Sequence, residues 1–381
     1  MGKLLIVLWL LFITIGCYYQ TPVNCIDRQD YELVLSGEEV YPLDSSSTFR
    51  PTAVYTYNVE SETPFLIVDN EQLGRIDIYN YKTKQLHKRI QLTGEGPNGI
   101  KYRPSGYFFH NMDSIFLFFN VTQELYLIDS SGVIKNKMGP LTKWTEQFKI
   151  PTIDVSGGMK PLLRKNKIEF CTYGLASSNG KAGVIYDLVK QTIRSPYTLP
   201  AIYKRGWWSG LLYDRFGQAY NEEENLVVLS YGADKFIYIV NQHGEVRKEC
   251  ASSRYLPEQL KPYATEVKSL DVNYQKLWKH EALQGSYSTI IYDRWREVYY
   301  RVAFRPLSES EYTSPHLVWS KPVIIILDKQ FKKIGESVLP QGYYYAIHYV
   351  TPEGIYFVNR DAYDRNDNFM SFGRFSLQKV M

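Results

Sequence analysis

The sequence predicts an all-β fold: a six-bladed β-propeller of four-stranded antiparallel blades. Three observations carry that prediction. A block of two apolar runs joined by a loop and followed by a polar turn recurs six times. The second run of the first five blocks ends in Asp or Asn, at Asn80, Asp129, Asp187, Asn241 and Asp328. These anchors recur about every 50 residues, with one wider step, and such self-similarity is the signature of a repeat architecture. The last block, finally, lacks a strand that the N-terminal region is able to supply.

With the strands of a blade named A to D from the inside out, the strongest are the B strands. They are expected at 65–68, 115–119, 168–173, 226–231, 298–304 and 355–358, runs rich in β-branched and aromatic residues. A weaker A strand precedes each, at 53–57, 107–110, 161–164, 217–220, 287–292 and 345–350. The C strands are expected at 76–80, 125–129, 184–187, 236–241, 323–328 and 375–377. Turns such as Ser130-Ser131-Gly132 and Asn241-Gln242-His243-Gly244 lead on to D strands at 133–138 and 246–250. Gly and Asn at these points accept the positive φ that hairpin turns require. The sixth C strand is followed by almost no chain, while 31–35 and 40–43 are spare strand material. One of these closing the sixth blade would remove an open sheet edge.

The long segments are not scattered. They fall in the B–C and D–A connections, at 93–104, 139–158, 174–183, 200–210, 251–285, 305–322 and 359–373, whereas the A–B and C–D turns are short. Insertions gathered on one face of a repeat protein mark a working face. One segment departs from the β pattern. Leu256, Leu260, Tyr263, Val267, Leu270, Tyr274 and Leu277 recur at steps of three and four. That stripe predicts a helical insertion near 254–283, packed over its own propeller or offered to a partner.

Bulk composition bounds the function classes. The 381 residues are 44% hydrophobic and 15% aromatic, with 33 tyrosines, enough for a large core. The net charge of +4 is small and the Lys and Arg residues are scattered, so no nucleic-acid partner is expected. Lys3 precedes an apolar run from Leu4 to Ile15, which ends at Gly16-Cys17. About twelve residues is too short to span a bilayer, and the pattern reads as a signal peptide over 1–16, a tether over 17–30 and a propeller domain over 31–381. Gly16-Cys17 at the end of the apolar run resembles the lipobox of bacterial lipoproteins, and that resemblance implies Cys17 as the lipidation site. That leaves Cys25, Cys171 and Cys250, an odd number that permits one disulfide at most; Cys171 reads as a small buried hydrophobe.

Chemical motifs are few. Gly94-Glu95-Gly96-Pro97-Asn98-Gly99 lacks the ending of a phosphate loop and reads as a shaped D–A connection. Asp364-Arg365-Asn366-Asp367-Asn368 begins like a calcium loop, yet Phe369 and Phe375 replace its required Gly and Glu; a looser cation site of Asp361, Asp364 and Asp367 is the remaining reading. His87, His110, His243, His280, His316 and His348 show no metal-ligand spacing, and no nucleophile elbow is present, so no metal, cofactor or catalytic residue is assigned. The nearest approach to a ligand platform is Arg205 with Trp207 and Trp208, which either stack on a sugar or an anionic group or plug the core beneath their loop. Asp69, Asn70, Asn120 and Asn359 stand at B-strand ends beside the expected channel mouth and are candidates for ligand contact, or plain turn formers.

Taken together, Gly16-Cys17, six repeats and a Gly-Glu-Gly-Pro turn after the first D strand resemble the six-bladed, TolB-like propeller lipoproteins of Bacteroidota, and among them a domain family of unknown function. The resemblance implies a cell-envelope protein lipid-anchored to the outer membrane. Tyr18-Tyr19-Gln20-Thr21 after the Cys lacks the acidic residues of surface-bound relatives, which favours a periplasm-facing anchor. The expected function is binding of a glycan, peptide or protein on the loop-rich face. The alternatives are a metal-dependent hydrolase or lyase at the channel mouth and a structural subunit of an envelope complex.

Overall fold

The computed structural model describes residues 25–47, 51–70, 72–96, 99–141, 152–155, 158–175, 178–264, 273–314 and 321–380. The expected signal peptide and Cys17 lie outside these residues. The fold is all-β and built from four-stranded antiparallel sheets. Strand β1 (Tyr31–Pro42) comes first. The first unit is β2 (Val54–Tyr57), β3 (Phe65–Asn70), β4 (Arg75–Asn80) and β5 (Leu86–Gln91). The second is β6 (Gly106–Asn111), β7 (Ser114–Phe119), β8 (Glu124–Ile128) and β9 (Ile134–Met138). The third holds β10 (Thr152–Asp154), β11 (Leu162–Arg164), β12 (Lys167–Tyr173), β14 (Val184–Asp187) and β15 (Thr192–Arg194), while β13 (Lys181–Ala182) pairs with β16 (Tyr197–Thr198) beside it. The fourth is β17 (Phe216–Asn221), β18 (Leu226–Tyr231), β19 (Phe236–Val240) and β20 (Val246–Cys250).

The last strands form a single eight-stranded sheet. Its halves, labelled the fifth and sixth units, are β21 (Ser286–Asp293), β22 (Val298–Phe304), β23 (Pro322–Leu327), β24 (Lys333–Val338) and β25 (Tyr343–Thr351), β26 (Gly354–Asn359), β27 (Phe369–Lys379). Strand β1 joins them. It runs antiparallel to β27 from Tyr31↔Lys379 to Pro42↔Phe369, with a bulge between Leu35 and Gly37, and touches β24 in parallel at Tyr31↔Gly335. The two segments of spare strand seen in the sequence are therefore one strand.

Packing between sheets makes a closed ring. Ile67 and Ile78 of the first unit pack on Tyr107, Ile115 and Leu117 of the second. Phe116 and Phe118 meet Ile168 and Phe170 of the third, and Cys171 there meets Leu229 and Tyr231 of the fourth. Val228 and Ile239 pack on Tyr287, Tyr299 and Ala303, and Val302 and Ile324 on Tyr345 and Phe357. Val54, Leu66 and Val68 then meet Tyr349, Tyr356 and Phe372, so the last unit lies against the first. Between the fourth and fifth units sits the wholly buried Arg301. Its five N–H groups donate to Ser230 Oγ and to the carbonyls of Tyr231, Asp234, Lys235 and Ala251, and its guanidinium stands 3.9 Å from the Tyr287 ring centroid. Burial pulls its pKa down to about 10, which leaves it charged at neutral pH.

The repeated Asp and Asn anchors have one job. Asn80 Oδ1 accepts from the amides of Lys82 and Thr83. Asp129, Asp187, Asn241 and Asp328 accept in the same way, from Ser131 and Val133, Val189 and Lys190, His243 and Glu245, and Gln330 and Lys332. Each closes a hairpin by satisfying amides that the turn leaves without backbone partners.

Three expectations need correction. The helical insertion is shorter than its stripe: α1 (Tyr274–Gln284) is the helix, while 251–264 is turn and coil. Pro257 and Pro262 withhold two amide hydrogens there, and Leu256 and Leu260 reach the core without a helix. The third A strand, expected at 161–164, is β11, but the connection expected over 139–158 holds a further strand, β10, and the two pair with opposite ends of β12. And β27 begins at Phe369, because the connection before it is occupied by a short helix, α3 (Arg360–Arg365), which follows α2 (Glu309–Tyr312) in the chain.

Residues 25–30, which the sequence assigns to a tether, are fastened down. Cys25 forms a disulfide with Cys250 on β20, and Cys171 is the buried free thiol. Asp27 pairs with Lys333 at 2.6 Å and with Arg254 at 3.2 Å; Gln29 Nε2 donates to the Glu336 carbonyl. Burial alone would raise the Asp27 pKa, but Lys333 and Arg254 hold it below the ordinary carboxylate value. The seam also depends on Gly335, where a Cβ would stand 1.9 Å from the Tyr31 carbonyl oxygen. Backbone cannot yield as a flexible side chain does, so Gly335→Ala is expected to lift the start of β1 and cost about 2 kcal/mol. Thermal unfolding should show the loss, and amide exchange should quicken at Tyr31 and Leu33; unchanged melting with unchanged exchange would contradict this seam.

Candidate functional site

The long B–C and D–A connections of the fourth, fifth and sixth units surround a cavity of about 830 Å³. Its walls are built from the residues upward as follows. Helix α1 begins at Asn273, whose side chain accepts from the Lys276 amide, and stops at Gly285 with φ +74°. Its inward face carries Trp278 to the cavity and Glu281 into the protein. Glu281 Oε2 accepts from the Leu211 amide at 3.0 Å, and Oε1 from the amides of Leu212 and Tyr213 at 3.2 and 3.1 Å. Burial raises the pKa of this carboxyl, and the three amides oppose the rise. The approach is close because residue 210 is glycine: a Cβ there would sit 2.1 Å from Glu281 Oε1. The helix is thus locked to the connection between the third and fourth units.

On the far wall stand Tyr343, Tyr344 and Tyr345 at the start of β25. The Tyr343 hydroxyl donates to Glu38 of β1 at 3.1 Å, and burial, with Glu38 beside it, pushes its pKa up to about 12. Asn359 is the N-cap of α3: its Oδ1 accepts from the Ala362 amide and its Nδ2 donates to Glu38. The helix it starts swings Arg360 over the Tyr344 ring at 3.5 Å. Arg215, Arg305 and Lys321 add further cations, with Asp361 and Asp364 as exposed acids at the rim. Arg215 is paired with Asp154 at 3.5 Å and Lys321 with Glu311, but Arg305 Nε is buried with no hydrogen-bond partner among the described residues. The arrangement presents aromatic faces and guanidinium groups side by side. Such a surface suits an elongated ligand that carries both apolar faces and negative charge.

The residues singled out from the sequence fall elsewhere. Trp208 is 1% exposed; its Nε1 donates to the Ile202 carbonyl and its ring lies between Tyr203 and Tyr213, so it fills the core and is closed to a ligand. Trp207 is half-buried against Tyr263; its amide donates to the Ala264 carbonyl and its carbonyl accepts from the Tyr263 amide. Arg205 is exposed beside a separate cavity of about 280 Å³ that also meets Lys235 and Glu258. Asp69 accepts from the amides of Thr52 and Ala53, and Asn70 from the Leu73 amide. Asn120 is exposed, and its carbonyl accepts from Gln123. Asp69, Asn70 and Asn359 are turn and cap residues, and these candidates are not gathered into one site. Among the described residues no three His, Cys, Asp or Glu side chains converge as metal ligands, so Asp361, Asp364 and Asp367 do not form the cation site considered above.

The domain of unknown function DUF4221 matches residues 30–338. The chain belongs to that family. A DUF4221 member from Bacteroides vulgatus superposes with a TM-score of 0.77 at 20% identity, covering 93% of this chain and all of that one. A Bacteroides fragilis protein described as exported superposes with a TM-score of 0.56 at 10% identity, covering 94% of this chain and 98% of that one. None of the curated proteins matches the chain. At these identities the two solved structures establish the DUF4221 fold and no more. Sequence reading missed Trp278, Tyr343, Tyr344 and Arg360 for a physical reason: the tyrosines read as the start of a strand, and Arg360 reaches the cavity only because Asn359 caps a helix rather than ending in coil.

The lock between α1 and the 210–213 connection is testable. In Glu281→Gln one acceptor oxygen becomes a donor facing a backbone amide, which should cost about 2 kcal/mol. Calorimetric unfolding should register it, and the amides of Leu211 to Tyr213 should exchange faster while those of β18 do not change.

Proposed function

We propose that this DUF4221 protein is a six-bladed β-propeller lipoprotein of the cell envelope that binds an acidic glycan or peptide chain on its long-loop face. Four-stranded units that pack in series around a ring, with β1 completing the last, support the count of six. The observation that carries the binding reading is the cavity beside α1. Its aromatic walls, its cations and its size, about 830 Å³, match a ligand pocket rather than a packing defect. Its place also agrees with the concentration of long connections on one face, since insertions gather where a scaffold binds. Envelope location rests on the Gly16-Cys17 sequence; among the described residues no helix is long and apolar enough to cross a membrane.

Binding should be measured on arrays of acidic and neutral polysaccharides and peptides, with any hit confirmed by calorimetry. Trp278→Ala and Arg360→Ala should each weaken the hit by more than about 1 kcal/mol, as loss of an anchor does, while Trp207→Ala should leave it unchanged. Affinity insensitive to both cavity variants would refute the site. For the anchor, Cys17→Ser should abolish labelling by a fatty-acid analogue and shift the protein out of the detergent phase, because stable membrane attachment needs acyl chains. Unaltered partitioning of Cys17→Ser would remove the lipoprotein reading and leave the binding site standing.

A further inference from the structure

A second cavity, of about 450 Å³, lies within the ring itself. The first strands of all the units line it: Tyr55 on β2, Phe108 on β6, Leu163 on β11, Gln218 on β17, Ile290 on β21 and His348 on β25. It opens on the short-turn side, where the exposed Glu222, Glu223 and Arg294 and the half-buried Trp295 stand. There Glu60, from the turn of the first unit, accepts hydrogen bonds from both Arg294 and Trp295.

The floor is made by residues 158–161, which lead into β11. Gly158 packs on the backbone of Ala346, and its carbonyl accepts from Thr289 Oγ1. Lys160 then extends across the ring. Its Nζ donates to the carbonyls of Val54 at 2.7 Å and His348 at 2.8 Å, and lies 5.0 Å from the Tyr55 ring centroid. No carboxylate pairs with it among the described residues. An ammonium has three donors, so one remains unused.

Two residues of the same cavity wall carry spare acceptors. His348 is buried, and its Nδ1 lies 2.8 Å from the Tyr345 carbonyl. A carbonyl only accepts, so Nδ1 carries the proton and Nε2 keeps its lone pair. Among the described residues Nε2 has no hydrogen-bond partner. Gln218 is 5% exposed; its Nε2 donates to the Glu169 carbonyl, and its Oε1 is buried with no partner. Buried polar atoms are seldom left unpaired without a reason, and both residues belong to the cavity wall.

We propose that this channel is a binding site for a monosaccharide-sized hydroxycarboxylate, a sugar acid, held with its carboxylate on Lys160 and its hydroxyls donating to His348 Nε2 and Gln218 Oε1. The pattern of one spare donor on a cation and two spare neutral acceptors selects that chemistry. An inorganic oxyanion would satisfy Lys160 but meet two lone pairs. A neutral sugar would satisfy the acceptors and leave the cation uncompensated. The aromatic walls of Tyr55, Tyr220 and Tyr292 suit the C–H face of a sugar ring. This site is independent of the long-loop cavity.

The electrostatics set a pH dependence. Desolvation pulls the Lys160 pKa down to about 7. Facing groups are His348 on β25, which burial and then Lys160 keep neutral, Tyr55 on β2, His110 at the end of β6, Glu222 and Glu223 between β17 and β18, and Arg294 between β21 and β22. The carboxylate ligand binds the protonated amine. Above the lysine pKa, affinity should therefore fall about tenfold per pH unit, and binding near that pKa should take up a proton.

The test is titration calorimetry of the full chain with D-glucuronate, D-galacturonate and D-gluconate, and with D-glucose and sulfate as controls. At least one acid should bind saturably, with a heat that changes with buffer ionisation enthalpy and an affinity that drops about fiftyfold between about pH 7 and pH 9. Glucose and sulfate should bind at least tenfold more weakly. Lys160→Met and Gln218→Leu should each reduce binding at least tenfold; should Lys160→Met fail to fold, the wild-type pH profile still decides. Absence of binding by all three acids, pH-independent binding, or equal binding of sulfate would overturn the proposal.

Discussion

The pairing of β1 with β27 is the constraint on which the rest of this molecule depends. A ring of sheets has no free lateral face only if its last member is complete, and the chain completes it with residues from its beginning. Without β1 the β27 ladder would present a long unpaired edge, and the parallel contact with β24 would vanish. The segment before β1 extends the same fastening. Its disulfide to β20 and its ion pairs to Lys333 and Arg254 carry the N-terminal region across the outer edge of the fifth unit to the fourth. Closing contacts this far apart in sequence makes the ring one cooperative object rather than a row of separable repeats. Arg301 acts on the same scale: one side chain of β22 gathers four carbonyls of the neighbouring β17–β20 unit, which no backbone ladder joins to its own.

The features that could be read from the sequence are those whose cause is local. An Asp or Asn at the end of an apolar run closes a turn with its own side chain, so Asp129 or Asn241 marks a hairpin wherever it occurs. B strands such as 226–231 and 298–304 are buried on both faces, and their apolar runs show it. What could not be read depends on distant partners. Trp208 looks like a ligand platform until Tyr203 and Tyr213 enclose it. The apolar stripe from Leu256 to Leu277 looks like one helix, yet its first residues are drawn into the core by the fourth and fifth units. Lys160 lies just beyond a segment that reads as a loop; only the ring brings Val54 and His348 to it.

The two cavities differ in how they are held. The one beside α1 is built from connections, tied down by single groups such as Glu281 and the Asn359 cap, and its shape can vary among relatives as those connections vary. The one inside the ring is framed by the first strands of every unit and floored by a backbone crossing, so its geometry is set by the fold itself.

The disulfide at Cys25 has a further consequence under the proposed acylation of Cys17. Cys250 lies on β20, the outermost strand of its sheet and the one opposite the channel-lining β17. Eight residues reach at most about 28 Å, so acyl chains on Cys17 would hold the bilayer within that distance of Cys25. The tether would then leave the molecule at the outer strand of the β17–β20 sheet and not at its channel-lining strand.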